Sequence, residues 1–495
     1  MQIEELNLNY SAIAPEIIIS VTGIIIMLYG VFKRRAQREL VVLGLAGLAI
    51  AGLAVANLWG QGTLTAFSSM IIVDSLSLFF IFTFLIIAGF TLLASMSFIE
   101  SEQLPAGEYY ALVMFATVGM MLMAAGNDLV MIFLGLELSS ISTYVLAGYR
   151  RSDLRSNESA LKYFILGSFS TAFLLYGMAL VYGATGSTNL DQISGAIARN
   201  INLATQQEIM SEMLYVGAAM MLVGFGFKVA TAPFHIWTPD VYEGAPTPVT
   251  AFMAAGPKAA GFAAFLRVFV FIFSINYMRE LHSTWTSAVQ VLAIFTMVVG
   301  NVVAISQTDI KRMLAYSSIA HAGYALVGLL SENWGVVGFY MLTYSVMNMG
   351  AFAIVASLAG EGDKQTQIES YAGLGFKHLG RCIALLVFML SLAGVPLTAG
   401  FMGKFLVFRA AWEKGFHTLV IIAVLNSAAS VYYYLRPMVV MFFREGGETS
   451  TAPILTRSAF VTILLALVGT FYLGLLPGRI MDLLEAARQS IAIIR

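Results

Sequence analysis

Long apolar stretches follow one another almost without interruption along this 495-residue chain. Fourteen can be read, over residues 12–31, 40–58, 72–98, 109–125, 128–148, 158–183, 211–232, 246–274, 285–305, 311–331, 334–359, 379–412, 416–442 and 455–478. Each is near or above the ~20 residues that carry a helix across a bilayer. Membrane β-barrel strands instead alternate apolar and polar residues in ~10-residue segments, which these runs do not do. Only 11% of residues are charged, against about 25% in soluble domains. A soluble globular chain and a disordered one are both excluded. The expected fold is an all-α polytopic membrane protein of about fourteen transmembrane helices. Its longest polar connections, 184–210 and 360–378, leave no room for a sizeable soluble domain.

Sidedness follows from the basic residues. The first span has Glu4 and Glu5 before it and Lys33, Arg34, Arg35 and Arg38 after it. A cleaved signal peptide has the opposite polarity. The excess of Lys and Arg on cytoplasmic loops then places the N-terminus outside. With fourteen spans, inside loops would hold those four residues plus Arg150, Arg151, Arg155, Lys311, Arg312, Lys364, Lys377, Arg381, Arg436, Arg444 and Arg457. Outside segments would hold only Arg199, Arg279, Lys414, Arg479, Arg488 and Arg495.

Six of the 27 basic residues are left inside spans: Lys162, Lys228, Lys258, Arg267, Lys404 and Arg409. A lysine at a helix centre costs about 2.5–3.5 kcal/mol on the translocon scale, so it needs a partner, water or a function. Lys228 follows the apolar run VGAAMMLVGFGF and is too deep to reach an interface easily; a structural ion pair is the alternative to a functional role. Lys258 lies about twelve residues into its span, ~18 Å deep at 1.5 Å per residue. Lys404 lies in the second half of the long span 379–412. Lys162 is about one turn into its span, where simple snorkelling competes with a relay role. Arg267 and Arg409 lie nearer the outer ends, and snorkelling is expected for both.

Acids inside spans are fewer. Glu137, in IFLGLELSSISTY, is about nine residues deep and must be paired or protonated. Asp74 and Asp128, at span starts, read as interface residues. His321, in AYSSIAHAGY, has Tyr316, Ser317, Ser318 and Tyr324 nearby and reads either as a packing histidine or as a proton relay. One carboxylate and several lysines at mid-depth suit proton transfer, because a buried amine can alternate between charged and neutral forms as its partner changes.

Two spans are interrupted. Residues 211–232 run into KVATAPFHIWTPDVYEGAPTPVT, with Pro233 and Pro239. The span 379–412 contains SLAGVPLTAGFMGKF, with Gly394, Pro396, Gly400 and Gly403. Lys228 precedes the first break by five residues, and Lys404 follows Pro396 by eight. Opposite placement about two breaks is what inverted-topology halves produce; kinks between crowded helices are the alternative. Unwound backbone at membrane depth is tolerated only where protein or water satisfies it.

Other chemistry finds little support. Cys382 is the single cysteine, which excludes disulfides and a cysteine-ligated iron–sulfur cluster within the chain. Five histidines lack paired spacing, and the net charge of −1 suggests no nucleic-acid surface. The glycine-rich runs lie within apolar spans and read as helix packing rather than a nucleotide loop.

The motifs around these residues carry a family resemblance over nearly the whole chain. KVATAPFHIWTPDVYEGAPTPVTAF with Lys228 and GPKAA with Lys258 resemble the signature of the antiporter-like, proton-translocating membrane subunits of respiratory complex I, the NADH–quinone oxidoreductase. FLGLELSSISTYVLAGY with Glu137, ESALKYFILGSFSTAFLLYG with Lys162 and DIKRMLAYSSIAHAGY with His321 also match. PLTAGFMGKF with Lys404 is most similar to the N, or subunit 2, type, whereas the related M type has a glutamate on helix 12 and the L type a long lateral helix. The resemblance implies fourteen helices with two inverted five-helix repeats and broken helices 7 and 12. It implies three N-terminal helices over 1–108, a first repeat over 109–274, a second over 275–442, and helix 14 with a tail over 443–495. It further implies that Glu137 pairs with Lys228, that Lys258 is the central relay and Lys404 the outward exchange group, and that Lys162 and His321 are auxiliary. NAD, FMN, iron–sulfur clusters and quinone would belong to partner subunits, with no cofactor in this chain. A bacterial plasma membrane is the expected location, with a thylakoid or organelle membrane as the alternative. A subunit of a multi-subunit Na⁺/H⁺ antiporter, or of a ferredoxin- or formate-linked relative, would share the fold.

Overall fold

The computed structural model describes residues 8–33, 37–200, 207–270, 272–273, 279–445 and 454–484. Arg34, Arg35, Arg488 and Arg495, and the side chains of Arg199 and Arg279, lie outside them. The elements in chain order are α1 (Ala14–Phe32), α2 (Gln37–Leu58), β1 (Leu64–Ala66), β2 (Ile71–Val73), α3 (Ser75–Ser101), α4 (Ala106–Ala125), α5 (Leu129–Ala147), α6 (Leu154–Thr185), α7 (Leu190–Asn200), α8 (Gln207–Val229), α9 (Thr238–Gly244), α10 (Thr247–Phe265), α11 (Arg279–Ser306), α12 (Ile310–Leu330), α13 (Trp334–Ala359), α14 (Leu374–Lys377), α15 (Leu379–Ala393), α16 (Ala399–Glu413), α17 (His417–Phe443) and α18 (Arg457–Leu475). Among the described residues, thirteen helices are long and apolar enough to cross a membrane. The twelfth expected span, 379–412, is discontinuous, split into α15 and α16, each 15 residues long.

Helix starts coincide with short polar side chains that satisfy the first free amides. Asp74 accepts from Ser77 N at 2.9 Å and caps α3, with Ser77 returning a bond as a capping box. Asp128, Asp153, Asp309, Asn333 and Thr456 cap α5, α6, α12, α13 and α18 in the same manner. Asp74 and Asp128, at their span starts, are buried helix caps. The β1–β2 hairpin is antiparallel, with Thr65 opposite Ile72, and it closes over one face of the bundle beside Gly126. The polar stretch 184–210 contains the amphipathic helix α7.

α10, α12 and α13 are enclosed almost completely, whereas α1, α6, α11 and α17 present one side outward. The two faces of the bundle are tied by different charge clusters. On the face that carries Lys33, Arg150 grips Glu102 with two bonds of 2.6 Å. Arg150 also lies 3.6 Å from Asp363, and Lys311 lies 3.4 Å from the same carboxylate. Thr247 donates its amide and hydroxyl to Asp363 at 3.0 and 2.8 Å. On the opposite face, Glu332 bonds His282 at 2.6 Å and Lys414 at 3.1 Å. Burial alone would raise the Asp363 and Glu332 carboxyls. Lys311 and Arg150 outweigh it at Asp363, and His282 and Lys414 at Glu332, so both are held below the ordinary carboxylate range.

Candidate functional site

The helix carrying Lys228 ends one residue beyond it, at Val229. The chain then unwinds through Ala230, with φ +61°, and the cis Ala232–Pro233 bond before α9 resumes at Thr238. Protein groups satisfy the freed backbone, as membrane depth demands. Ala232 N donates to Thr296 Oγ1 at 3.0 Å, Thr231 N to Gly226 O at 2.8 Å, and Trp237 Nε1 to Phe227 O at 3.2 Å. Lys228 Nζ donates to Ser140 Oγ at 2.8 Å. Glu137 stands three residues before Ser140 on α5, and its Oε1 accepts from Thr171 of α6 at 2.9 Å. Carboxylate and amine are therefore each held by a hydroxyl, and they do not form a direct ion pair in this arrangement. The small cavity beside them, about 10 Å³, is lined by Ser140, Tyr144, Tyr163, Thr171 and Lys228.

Lys258 is buried on α10, immediately after Pro257. Its Nζ donates to Ser318 O at 2.6 Å and to Ser318 Oγ at 2.5 Å. A Cβ at Gly261 would lie 3.4 Å from Lys228 Cγ, so the Lys228 stem rests against the α10 turn that follows Lys258. On α12, one turn beyond Ser318, His321 lies between two phenols: Nδ1 is 2.7 Å from Tyr340 OH and Nε2 3.2 Å from Tyr434 OH. Tyr434 also bonds Ser317. The imidazole stacks on Tyr340 and packs against Tyr324 and Tyr344.

Lys404 lies on α16, beyond the second break. Its Nζ donates to Leu392 O at 2.8 Å, Ala393 O at 3.0 Å and Ser427 Oγ at 2.9 Å, and it lies 4.9 Å over the Tyr324 ring. Those carbonyls are the last of α15, where free acceptors and the negative end of the helix dipole suit a cation. Gly394 ends α15 at φ +94°, and a Cβ there would meet Lys404 Cδ at 3.2 Å.

Lys162 is two turns into α6, because α6 starts at Leu154, just after its Asp153 cap and earlier than the apolar run suggested. It does not reach the Lys228 cavity. Its side chain is 41% exposed and pairs at 2.7 Å with Glu158 and with Asp240 of α9. Asp240 also holds Arg312 of α12 at 2.8 Å. Lys162, Glu158 and Asp240, with Arg155 and Glu243, line a cavity of about 230 Å³ on the Lys33 face.

Two arginines separate. Arg409 is exposed and pairs with Glu413 at 2.8 Å, as snorkelling predicts. Arg267 does not snorkel: it is fully buried, with Asp74 at 2.6 and 2.8 Å and Ala124 O at 2.8 Å. Span-edge counting misplaced it because its partner lies 193 residues away. Sequence reasoning also missed Ser140, Thr171, Tyr340, Tyr434, Ser427 and Asp240. The run VYYYLR, three tyrosines inside an apolar span, was the one visible signal among them. No group of His, Cys, Asp and Glu suited to a metal occurs among the described residues.

The transmembrane family described as NADH:quinone oxidoreductase/Mrp antiporter matches residues 126–430. The NADH-quinone oxidoreductase subunit N of Trichlorobacter lovleyi is 48% identical over 493 residues, covering 99% of this chain and 98% of that one. A chain of respiratory complex I from Thermus thermophilus, solved with bound aureothin, superposes with a TM-score of 0.78 at 36% identity, over 94% of this chain and 98% of that one. A chain of the Mrp complex from Dietzia has the same fold, with a TM-score of 0.80 at 18% identity over 97% of each chain.

Proposed function

The chain belongs to the NADH:quinone oxidoreductase/Mrp antiporter membrane family, on its subunit N branch, and from that membership we propose that it carries protons across the membrane while redox chemistry proceeds in partner subunits. It is a multi-pass subunit of the membrane part of an NADH–quinone oxidoreductase. NAD, FMN, iron–sulfur clusters and quinone are assigned to the partners. The N-terminus and the Glu332 face lie on the outer side of a bacterial plasma membrane, in keeping with the basic loops on the Lys33 face.

One observation carries the proton reading. Three lysines on three separate helices are buried inside the bundle, and among the described residues each amine is held by hydroxyl or carbonyl oxygens rather than by a carboxylate within ion-pair distance. Hydroxyl and carbonyl partners accept from the charged amine, and the hydroxyls can donate to the neutral one. Each site thus tolerates both protonation states, which a tight ion pair would not. Glu137, one turn from Ser140, biases Lys228 toward the charged form. Withdrawal or neutralisation of that carboxylate unloads it. Lys258 receives the charge at the centre, His321 and its tyrosines bridge the α12 side, and Lys404 releases outward. Lys162, tied to Asp240 on the exposed Lys33 face, serves intake.

Purification of the tagged chain in mild detergent tests the assignment. Flavin and iron–sulfur subunits that oxidise NADH should accompany it. Small membrane subunits alone, with Na⁺-dependent proton flux, would place it in an antiporter instead.

A further inference from the structure

Lys258 and Arg267 lie on one continuous helical segment, nine residues apart, ~14 Å at 1.5 Å per residue. Lys258 is the mid-depth amine, and Arg267 lies toward the Glu332 face. The residues between them, AAGFAAFL, offer no polar side chain, and all are buried. Over Leu266–Val270 the backbone changes to a π-helical turn, a local widening that often marks functional positions. Arg267 sits in that turn with every nitrogen occupied: Nη1 and Nη2 on Asp74, Nε on Ala124 O.

We infer that the Arg267–Asp74 pair is a proton seal, closing the route from Lys258 to the Glu332 face so that protons leave only past Lys404. The inference rests on the proton-relay reading above. A group that passes a proton must accept one and give one. The guanidinium has donors only and stays charged, so a hydrogen-bonded wire stops at it. The Asp74 carboxylate could accept a proton, but two guanidinium bonds and Ser77 N hold it as an anion. On the other side of the same turn, Phe265 stacks on Phe225 at 5.4 Å and meets Phe269 at 4.7 Å, and Phe269 packs on Phe273 and Trp285, so aromatic rings fill the space toward α8 and α11. A buried ion pair is weak evidence of stability in itself, so its place asks for another reason. Lys404 differs: a groove of about 630 Å³, lined mostly by apolar side chains such as Phe405, Phe408 and Trp412, runs from it and Gly394, past Ser427, to Arg409 and Glu413. One lysine faces a plug, the other an opening.

The test uses the assembled complex in proteoliposomes, with passive proton conductance measured under an imposed pH gradient without NADH. Arg267→His replaces the donor-only guanidinium with a ring that can accept a proton at one nitrogen and give one from the other. Conductance should rise several-fold, with subunit composition and NADH–quinone turnover kept. Arg267→Met with Asp74→Asn removes both charges, keeps the α3 cap and offers no proton carrier, so it should stay at the wild-type level. Adding Lys258→Met should return the Arg267→His leak to the wild-type level. Unchanged conductance in assembled Arg267→His, a leak in the Met–Asn variant, or a leak that survives Lys258→Met overturns the seal. If Lys258→Met alone leaves proton pumping intact, the proton-relay reading itself fails, which is a separable result.

Discussion

Lys258 Nζ and Ser318 Oγ are 2.5 Å apart, and the Ser318 carbonyl is a second acceptor at 2.6 Å. The pair joins the two most enclosed helices, α10 and α12, and it places the central amine one turn from His321. Ser318→Ala removes the hydroxyl and leaves the carbonyl. A hydrogen bond to a charged group is worth about 1.5–3 kcal/mol, so coupled turnover should fall roughly tenfold or more. NADH-driven proton uptake in vesicles reads this, with assembly checked in parallel.

Gly394 holds the end of α15 at φ +94° beside Lys404. Gly394→Ala adds a Cβ that meets Lys404 Cδ at 3.2 Å and Nζ at 3.5 Å. The left-handed backbone costs about 1–2 kcal/mol for a residue with Cβ, and the amine must shift from its carbonyls. Proton pumping per electron should fall more than thermal stability does. Equal and slight losses in both would show that the Lys404 position is uncritical.

His321 and Tyr434 share one network with Ser317. Their effects on proton transfer should not add. His321→Asn and Tyr434→Phe are each expected to slow coupled turnover, and the double variant to be little worse than the poorer single. A coupling of about 0.5–3 kcal/mol is usual for residues in contact. Full additivity in the double-mutant cycle would reduce the imidazole to a packing residue.

Asp363 links α10, α12 and the 148–153 loop. Breaking a buried pair leaves the partner charge uncompensated and costs about 3–5 kcal/mol, and Asp363→Ala would strand the buried Lys311 in this way. The carboxyl is held below its ordinary value of 3.8. Its stabilisation is therefore present above that value and lost as pH falls through the lower folded one. The wild-type unfolding temperature in detergent should drop in that acid window, and the Asp363→Asn curve should be flatter there. Parallel curves would contradict the linkage.

The spans were legible because bilayer crossing requires long apolar runs, and Trp334–Ala359 matches its expected bounds residue for residue. The buried lysines were legible for the same reason, since a charge inside such a run stands out. Their partners were not. Ser140 lies 88 residues from Lys228, and Ser318 lies 60 from Lys258, and a serine in an apolar helix looks like any helix-packing serine. Arg267 was misread because depth along one helix says nothing about a carboxylate on another. Lys162 lies one turn further along its helix than the apolar run suggested, because polar residues LRSN extend α6 outward to its Asp153 cap. Hydropathy marks where apolar surface begins, and hydrogen bonding marks where the helix does.

In the proposed relay Lys258 carries a proton in transit. Lys258→Met keeps the volume of the side chain and removes its charge. The measurement is the number of protons moved per NADH oxidised by the assembled complex in sealed vesicles. A ratio below wild type, with quinone reduction retained and subunit composition normal, is the predicted result. An unchanged ratio would remove Lys258 from the proton path.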